Sequence, residues 1–262
     1  MKRYLDFVIV MSEKEIRVRY KNALLGFLWI LINPISMMFI MGFVFQFFIP
    51  VNVDNYFLFL FTGLLPWQFF SNSLIKSTPA FYYERNLIKK SKFPKEIIIV
   101  SIVLSNMFHF IVALILLILI ILADKIFIDK HSFQSLIMDI YQMFIILPGI
   151  IWIGVLTGAI SLITSTINVR FRDINFIIQL AVSLLFYVTP IVFTLDLLPE
   201  HVRPFFYINP LTIIIELFRY SLINIQIYSV KLGLISLVTT VIICIASILI
   251  YKKENKNFDD WL

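Results

Sequence analysis

Asn86-Leu-Ile-Lys-Lys-Ser-Lys-Phe-Pro-Lys-Glu96 is a basic, proline-bearing island between two long apolar runs, with four lysines between positions 89 and 95. Which side of which boundary it occupies decides the arrangement of everything around it. The chain that carries it has 262 residues, of which 60% are hydrophobic and only 15% charged, with 27 phenylalanines. Soluble domains are nearer half apolar and a quarter charged. The composition is that of an integral membrane protein. Charge persists through Lys21 with no small-residue cleavage site after it, so no cleavable leader is expected. Cys244 is the single cysteine, which rules out an internal disulfide.

Working outward from the island, six uncharged runs occupy residues 24–49, 56–75, 97–123, 140–169, 174–195 and 232–251. A helix needs ~20 residues to cross the hydrocarbon core, so each run is read as a span. The fourth is long enough to tilt or to continue beyond the membrane. Pro34 and Pro148-Gly149 are kink sites, tolerable where neighbouring helices re-satisfy the backbone. Six spans place both termini on one side. Segments 1–23, 76–96, 168–173 and 252–262 carry 17 of the 22 Lys and Arg, and segments 50–55, 124–139 and 196–231 carry 5. Basic residues concentrate on the cytoplasmic side, which makes both termini and the island cytoplasmic. The net charge of +6 therefore reports topology, and no nucleic-acid partner is expected.

At ~100° per residue, Lys2, Arg3, Asp6, Glu13, Lys14, Arg17 and Lys21 fall within one arc of roughly 120°. Leu5, Val8, Met11, Ile16 and Val18 lie outside it, while Glu15 and Arg19 break the pattern. That describes a helix lying in the membrane interface. Between the fifth and sixth spans, the half-length apolar pieces 204–215 and 220–230 flank Glu216 and Arg219. Pieces of that length read as re-entrant or interfacial. The two charges, spaced i,i+3, could face each other on a helix; buried, they line a cavity or pair, against the plainer reading of a surface ion pair on an external helix.

Catalytic signals are lacking. His109, His131 and His201 are far apart, and neither Asp259-Asp260 nor Asp124 with Asp129 has the partners of a metal site. No metal site and no enzyme activity are expected. There is no phosphate loop, so ATP is not expected to bind this chain. The first two spans are crowded with rings. Trp29, Phe43, Phe59, Trp67 and Phe70 are candidates for a path on which sugar C–H faces stack, against the plainer reading of lipid contact or core packing.

Arg17-x-Arg19-Tyr20-Lys21-Asn22-x-x-Leu25-Gly26-x-x-Trp29 with Asn33-Pro34 resembles the opening of the polysaccharide-exporting, type-2 ABC transporter permeases. Gly63-Leu64-Leu65-Pro66-Trp67-x-Phe69-Phe70-Ser71 looks like that family's second span. Leu87-Ile88-x-Lys90-x-x-Phe93-Pro94-x-Glu96-Ile97 and Asn168-Val169-x-Phe171-Arg172-Asp173 look like its cytoplasmic turns. Thr189-Pro190-Ile191, Leu197-Leu198-Pro199-Glu200 and Asn209-Pro210-Leu211 look like its external region.

The resemblance implies one all-α permease domain over residues 1–262. It comprises an interfacial helix over 1–23, six transmembrane helices over 24–251 with two short external re-entrant helices between the fifth and sixth, and a cytoplasmic tail over 252–262. It implies a homodimer with two copies of an ATP-binding subunit that hold the ATP and Mg, this chain binding no cofactor. The site is a bacterial or archaeal inner (plasma) membrane, and the cargo is a lipid-linked polysaccharide of O-antigen, teichoic acid or capsule type. Leu87, Lys90, Phe93, Pro94, Glu96, Arg170, Arg172 and Asp173 would couple to the ATPase. Pro94 suits a turn of fixed geometry, and the extra lysines would meet anionic headgroups. Arg17, Arg19, Tyr20 and Lys21 would belong to the interfacial gate helix, and Asn209, Pro210, Glu216 and Arg219 to an external gate. Export of a drug or lipid, or an embedded enzyme acting on polyprenyl-linked sugars, are the alternatives.

Overall fold

The computed structural model of the chain describes residues 2–21, 28–48, 55–90, 93–127 and 141–258. Outside these lie Asn22, Leu25 and Gly26, both ends of the first apolar run, most of the connections at 50–55 and 124–139 with Asp129 and His131, Lys92, and Asp259-Asp260. Among the described residues every regular element is a helix. In chain order they are α1 (Lys2–Tyr20), α2 (Trp29–Phe48), α3 (Tyr56–Ser77), α4 (Ala80–Tyr83), α5 (Arg85–Lys90), α6 (Glu96–Phe127), α7 (Ile146–Arg170), α8 (Ile174–Val188), α9 (Arg203–Phe206), α10 (Pro210–Ile223) and α11 (Val230–Glu254). Short 3-10 turns cover Leu195–Leu197 and Asn255–Asn257.

Helices are what a chain of this composition must form, because lipid offers no partner to a backbone N–H or C=O. The segments Tyr56–Ser77, Glu96–Lys125, Tyr141–Arg170 and Val230–Glu254 are long and apolar enough to cross a membrane; Trp29–Phe45 and Ile174–Val188 are apolar but shorter. The fourth run turns at residues 144–145 before α7 begins. Pro148 falls in the first turn of α7, where its missing N–H removes no helical bond.

The fifth run departs from the expectation. Sequence reading carries it to residue 195, but α8 stops at Val188 after 15 residues. Pro190 is the cause. Its ring disfavours α geometry in the residue before it, and Thr189 is extended at φ −88°, ψ 135°. Residues 190–194 continue outside any helix, yet Ile191 and Val192 are buried. Their carbonyls must find partners elsewhere.

The central post is α3, packed by α2, α6, α7, α8 and α10. Phe59, Leu60, Phe61, Leu64 and Phe70 on α3 are almost wholly buried. The outer helices carry their apolar side chains outward instead: Phe176, Ile177, Leu180, Leu184 and Tyr187 on α8 are exposed, as are Leu234, Val238, Ile242 and Leu249 on α11. Such surfaces are normal where the solvent is lipid. Buried hydroxyls on α7 turn back onto their own helix, Thr164, Ser165 and Thr166 donating to carbonyls three or four residues earlier.

The charged N-terminal stretch forms a helix, and the two residues that break its pattern explain themselves. α1 lies along α6. Met11, Glu15 and Arg19, each four residues from the last, follow one row toward the bundle. Met11 is buried, Glu15 pairs with Lys76 of α3 at 2.5 Å, and Arg19 donates to Asn106 of α6 at 2.7 Å. Leu5, Ile9, Val10 and Val18 stay exposed on the free side.

Candidate functional site

The charged ends of the helices gather at one pole. Lys14 of α1 pairs with Glu84, between α4 and α5, at 2.7 Å, so the interfacial helix is tied to the start of the basic island. α4 and α5 form a short helical elbow that exposes Tyr83, Arg85, Asn86, Lys89 and Lys90. The loop after α7 exposes Arg170, Phe171, Arg172 and Asp173. The Arg172 guanidinium lies 4.5 Å from the centre of the Tyr82 ring, and Arg85 lies 5.0 Å from the same ring. Tyr82 thereby joins two segments about ninety residues apart into one surface. A cation over an aromatic face is worth ~0.5–1 kcal/mol at an exposed site, enough to bias two loops without locking them.

The sequence-predicted coupling residues divide into two groups. Lys90, Arg170, Arg172 and Asp173 are exposed, and Leu87 is half-buried. Phe93 and Glu96 turn inward. The Phe93 ring packs edge-on against Phe7 of α1 at 4.9 Å, and Glu96 accepts a hydrogen bond from the Tyr251 hydroxyl of α11. Phe258, fully buried, packs against Phe81 and Tyr251, with the Lys95 ammonium 5.0 Å from its ring centre. Phe93, Pro94 and Glu96 therefore set the angle of the turn from beneath, and the basic residues form its face.

At the opposite pole the two short helices expected before the last span are present, but divided elsewhere. The break falls at Tyr207–Asn209, and Glu216 and Arg219 lie inside α10 rather than between two pieces. Asn209-Pro210 marks the start: the Asn209 side chain caps the helix by accepting from the Leu211 N–H at 3.1 Å and donates to the Thr189 hydroxyl at 2.9 Å. Glu216 and Arg219 are both buried rather than on the surface, both line one cavity, and each is held by hydrogen-bond partners of its own. Glu216 accepts a 2.6 Å bond from the Tyr207 hydroxyl. Burial pushes its carboxyl up, to about 7, against the opposing pull of that hydroxyl and of the Arg219 charge.

Arg219, 3% exposed, donates to the carbonyls of Pro190 at 2.7 Å and Ile191 at 2.6 Å, while its guanidinium carbon sits 3.7 Å from the centre of the Phe59 ring. Tyr56 donates to the carbonyl of Val192 at 2.9 Å. These side chains meet the need left where α8 ends early: non-helical backbone deep in the bundle persists only where protein groups take up its carbonyls. A Cβ on Gly63 would stand 3.1 Å from Arg219 Nη2 and 3.2 Å from the Ile191 carbonyl oxygen, so the lack of a side chain there lets the guanidinium in.

The five candidate rings do not come together as one path. Phe59 and Phe70 are buried in the core, Trp29 and Phe43 are exposed, and Trp67 packs on Phe186 at 5.5 Å. Among the gate-helix residues, Arg17 pairs with Glu13 on the exposed arc, Lys21 is exposed, and Arg19 alone reaches the bundle; the Tyr20 side chain lies outside the described set. Sequence reasoning missed Tyr82 and Phe258 at one pole and Tyr207 at the other. No motif marks them, because their roles arise from contacts between distant segments. Among the described residues no cluster of His, Cys, Asp and Glu suits a metal.

The ABC-2 type transporter family matches residues 7–223. The chain is 32% identical over 261 residues to an O-antigen export system permease protein of Klebsiella pneumoniae, covering 98% of this chain and 95% of the relative. It is 29% identical over 199 residues to a protein of the same name from Myxococcus xanthus, covering 76% and 72%. It is also 23% identical over 209 residues to a polysialic acid transport protein of Escherichia coli, covering 79% and 77%.

Proposed function

The chain belongs to the ABC-2 type transporter family, and from that premise we propose that it is the transmembrane subunit of a polysaccharide exporter. It is a multi-pass membrane protein and a transport subunit rather than an enzyme. The cargo is a lipid-linked glycopolymer, moved from the cytoplasm across the inner or plasma membrane. Energy comes from ATP and Mg bound in a separate subunit, two copies of which serve two copies of this chain.

In this reading the chain crosses the bilayer six times with both termini cytoplasmic, as the 17-to-5 division of basic residues supports. α8 makes its crossing short and completes it with the non-helical residues 189–194. α9 and α10 are the external re-entrant elements. The basic pole faces the ATPase. Its elbow, α4 and α5, and the loop after α7 are the two docking segments.

The observation that supports this reading is the stack of Arg172 on Tyr82, which brings the two loops together into one surface at the basic pole. Movement imposed on that surface passes into α3, α6 and α7 together, since the elbow connects α3 to α6 and the loop ends α7. The test is a complex of this chain with its ATP-binding partner carrying Arg172→Ala together with Tyr82→Ala. The expected result is an intact membrane-inserted complex whose surface polymer falls at least about tenfold while the lipid-linked precursor accumulates inside. Unchanged surface polymer would remove the coupling assignment.

A further inference from the structure

The row of α1 that turns inward ends at a cavity of about 310 Å³ between α1, α2, α3 and α6. Its wall is unusually polar for helices this apolar: Arg19, Asn33, Gln68, Asn72, Asn106 and His109 all contribute, and among the described residues no carboxylate does. Depth can be read along α3. Lys76, paired with Glu15, marks the charged boundary, and Asn72 and Gln68 lie four and eight residues earlier, about 6 and 12 Å further in at 1.5 Å per residue. That is the zone in which headgroups give way to hydrocarbon.

Two side chains there are incompletely served. Among the described residues Arg19 meets neutral partners, Asn106 Oδ1 at 2.7 Å and His109 Nδ1 at 3.4 Å, which leaves most of its five N–H donors for something else. Asn106 is 3% exposed, and with its oxygen engaged by Arg19 its Nδ2 has no hydrogen-bond partner. A buried amide donor without a partner is costly, and the exposed Arg19 beside it is a cation at the mouth of the cavity, placed to attract an anionic group. Arg219, by contrast, donates to carbonyls, and the cavity beside it is lined by Glu216 and Asp196 as well. Among the described residues the cavity at Arg19 has no such supply of negative charge.

We infer that this cavity is a binding site for the phosphate of a lipid in the cytoplasmic leaflet. Arg19 supplies the charge and a planar fork suited to phosphate oxygens. The Asn106 amide supplies a second donor from the opposite helix, and the amides of Asn33, Gln68 and Asn72 line the rest. The volume suits a headgroup, not a polymer. The phosphate belongs either to an ordinary anionic phospholipid or to a polyprenyl carrier; the second source rests on the export reading above, and the first does not.

The experiment is native mass spectrometry of the full chain in detergent, titrated separately with dioleoyl phosphatidylglycerol, undecaprenyl phosphate and uncharged dioleoylglycerol. The wild-type chain should hold a phosphate lipid in preference to dioleoylglycerol. Arg19→Gln should weaken that binding about tenfold or more, the worth of a charge-assisted contact, and Asn106→Leu should weaken it less. Arg19→Lys, which keeps the charge, should recover most of it, so that a loss in Arg19→Gln is not mistaken for misfolding. Loss for both phosphate lipids assigns a general headgroup site, and loss for undecaprenyl phosphate alone assigns the carrier. Equal retention of all three lipids, or Arg19→Gln binding within about twofold of wild type, overturns the site. Polymer export, read at the cell surface, stands or falls separately.

Discussion

Arg219 and Arg172 sit at opposite poles of one bundle and are used in opposite ways. Arg219 is buried, and its bonds run to backbone carbonyls that would otherwise have no partner. Arg172 is exposed and rests on a single aromatic face. The first is a rivet, because desolvation makes each of its hydrogen bonds expensive to lose. The second is a handle, because water or a partner protein competes for its donors at little cost. One pole is built to hold a shape and the other to be taken hold of.

The comparison fails most visibly if Arg219 proves dispensable. Arg219→Met strands the Pro190 and Ile191 carbonyls, and with charge-assisted bonds worth about 1.5–3 kcal/mol each, the loss should be about 3 kcal/mol or more. Thermal unfolding of the purified chain would report it, and survival with an unchanged midpoint would contradict the rivet. Gly63→Ala comes next. It pushes a methyl against the guanidinium and the Ile191 carbonyl, at a cost of about 1–3 kcal/mol. In an Arg219→Met background that cost should shrink, because the two residues touch; strict additivity of the midpoints would show that they do not cooperate.

At the basic pole the effects on folding should be smaller. Tyr251→Phe removes the hydroxyl that Glu96 accepts, and the expected loss is about 1 kcal/mol, with the coupling turn loosened against α11. Faster amide exchange at residues 93–97 in the variant would show that loosening. Arg172→Ala should be smallest for stability, below about 1 kcal/mol, while polymer at the cell surface falls sharply. A large shift in unfolding midpoint for that variant would make Arg172 a second rivet and erase the contrast.

Much of the fold was legible before any coordinates. The apolar runs become helices at the expected places because lipid leaves the backbone no alternative, and the arc of charges on residues 2–21 falls on the helix α1. The failures have physical causes. The fifth run reads as apolar to residue 195, but composition is blind to the turn that Pro190 imposes. Glu216 and Arg219 look like a break between two segments because charge is usually excluded from buried helices, yet Glu216 is accommodated by Tyr207 across the turn before α10, and Arg219 by carbonyls almost thirty residues earlier. The five candidate rings read alike in one dimension and end in different environments.

The same division runs through the candidate sites. The sequence by itself determined the class of the protein, the side on which its basic residues cluster, the six apolar runs and the two basic segments that meet at one pole. These follow from local composition and from the cost of charge in lipid, which need no knowledge of neighbours. Only the tertiary structure decided that Tyr82 joins those segments, that Arg219 closes the carbonyls left by a shortened helix, and that Arg19 turns from the membrane surface into a polar cavity. Each of those depends on side chains brought together from distant positions, because a buried polar group is stable only beside its partner, and the partner is chosen by packing.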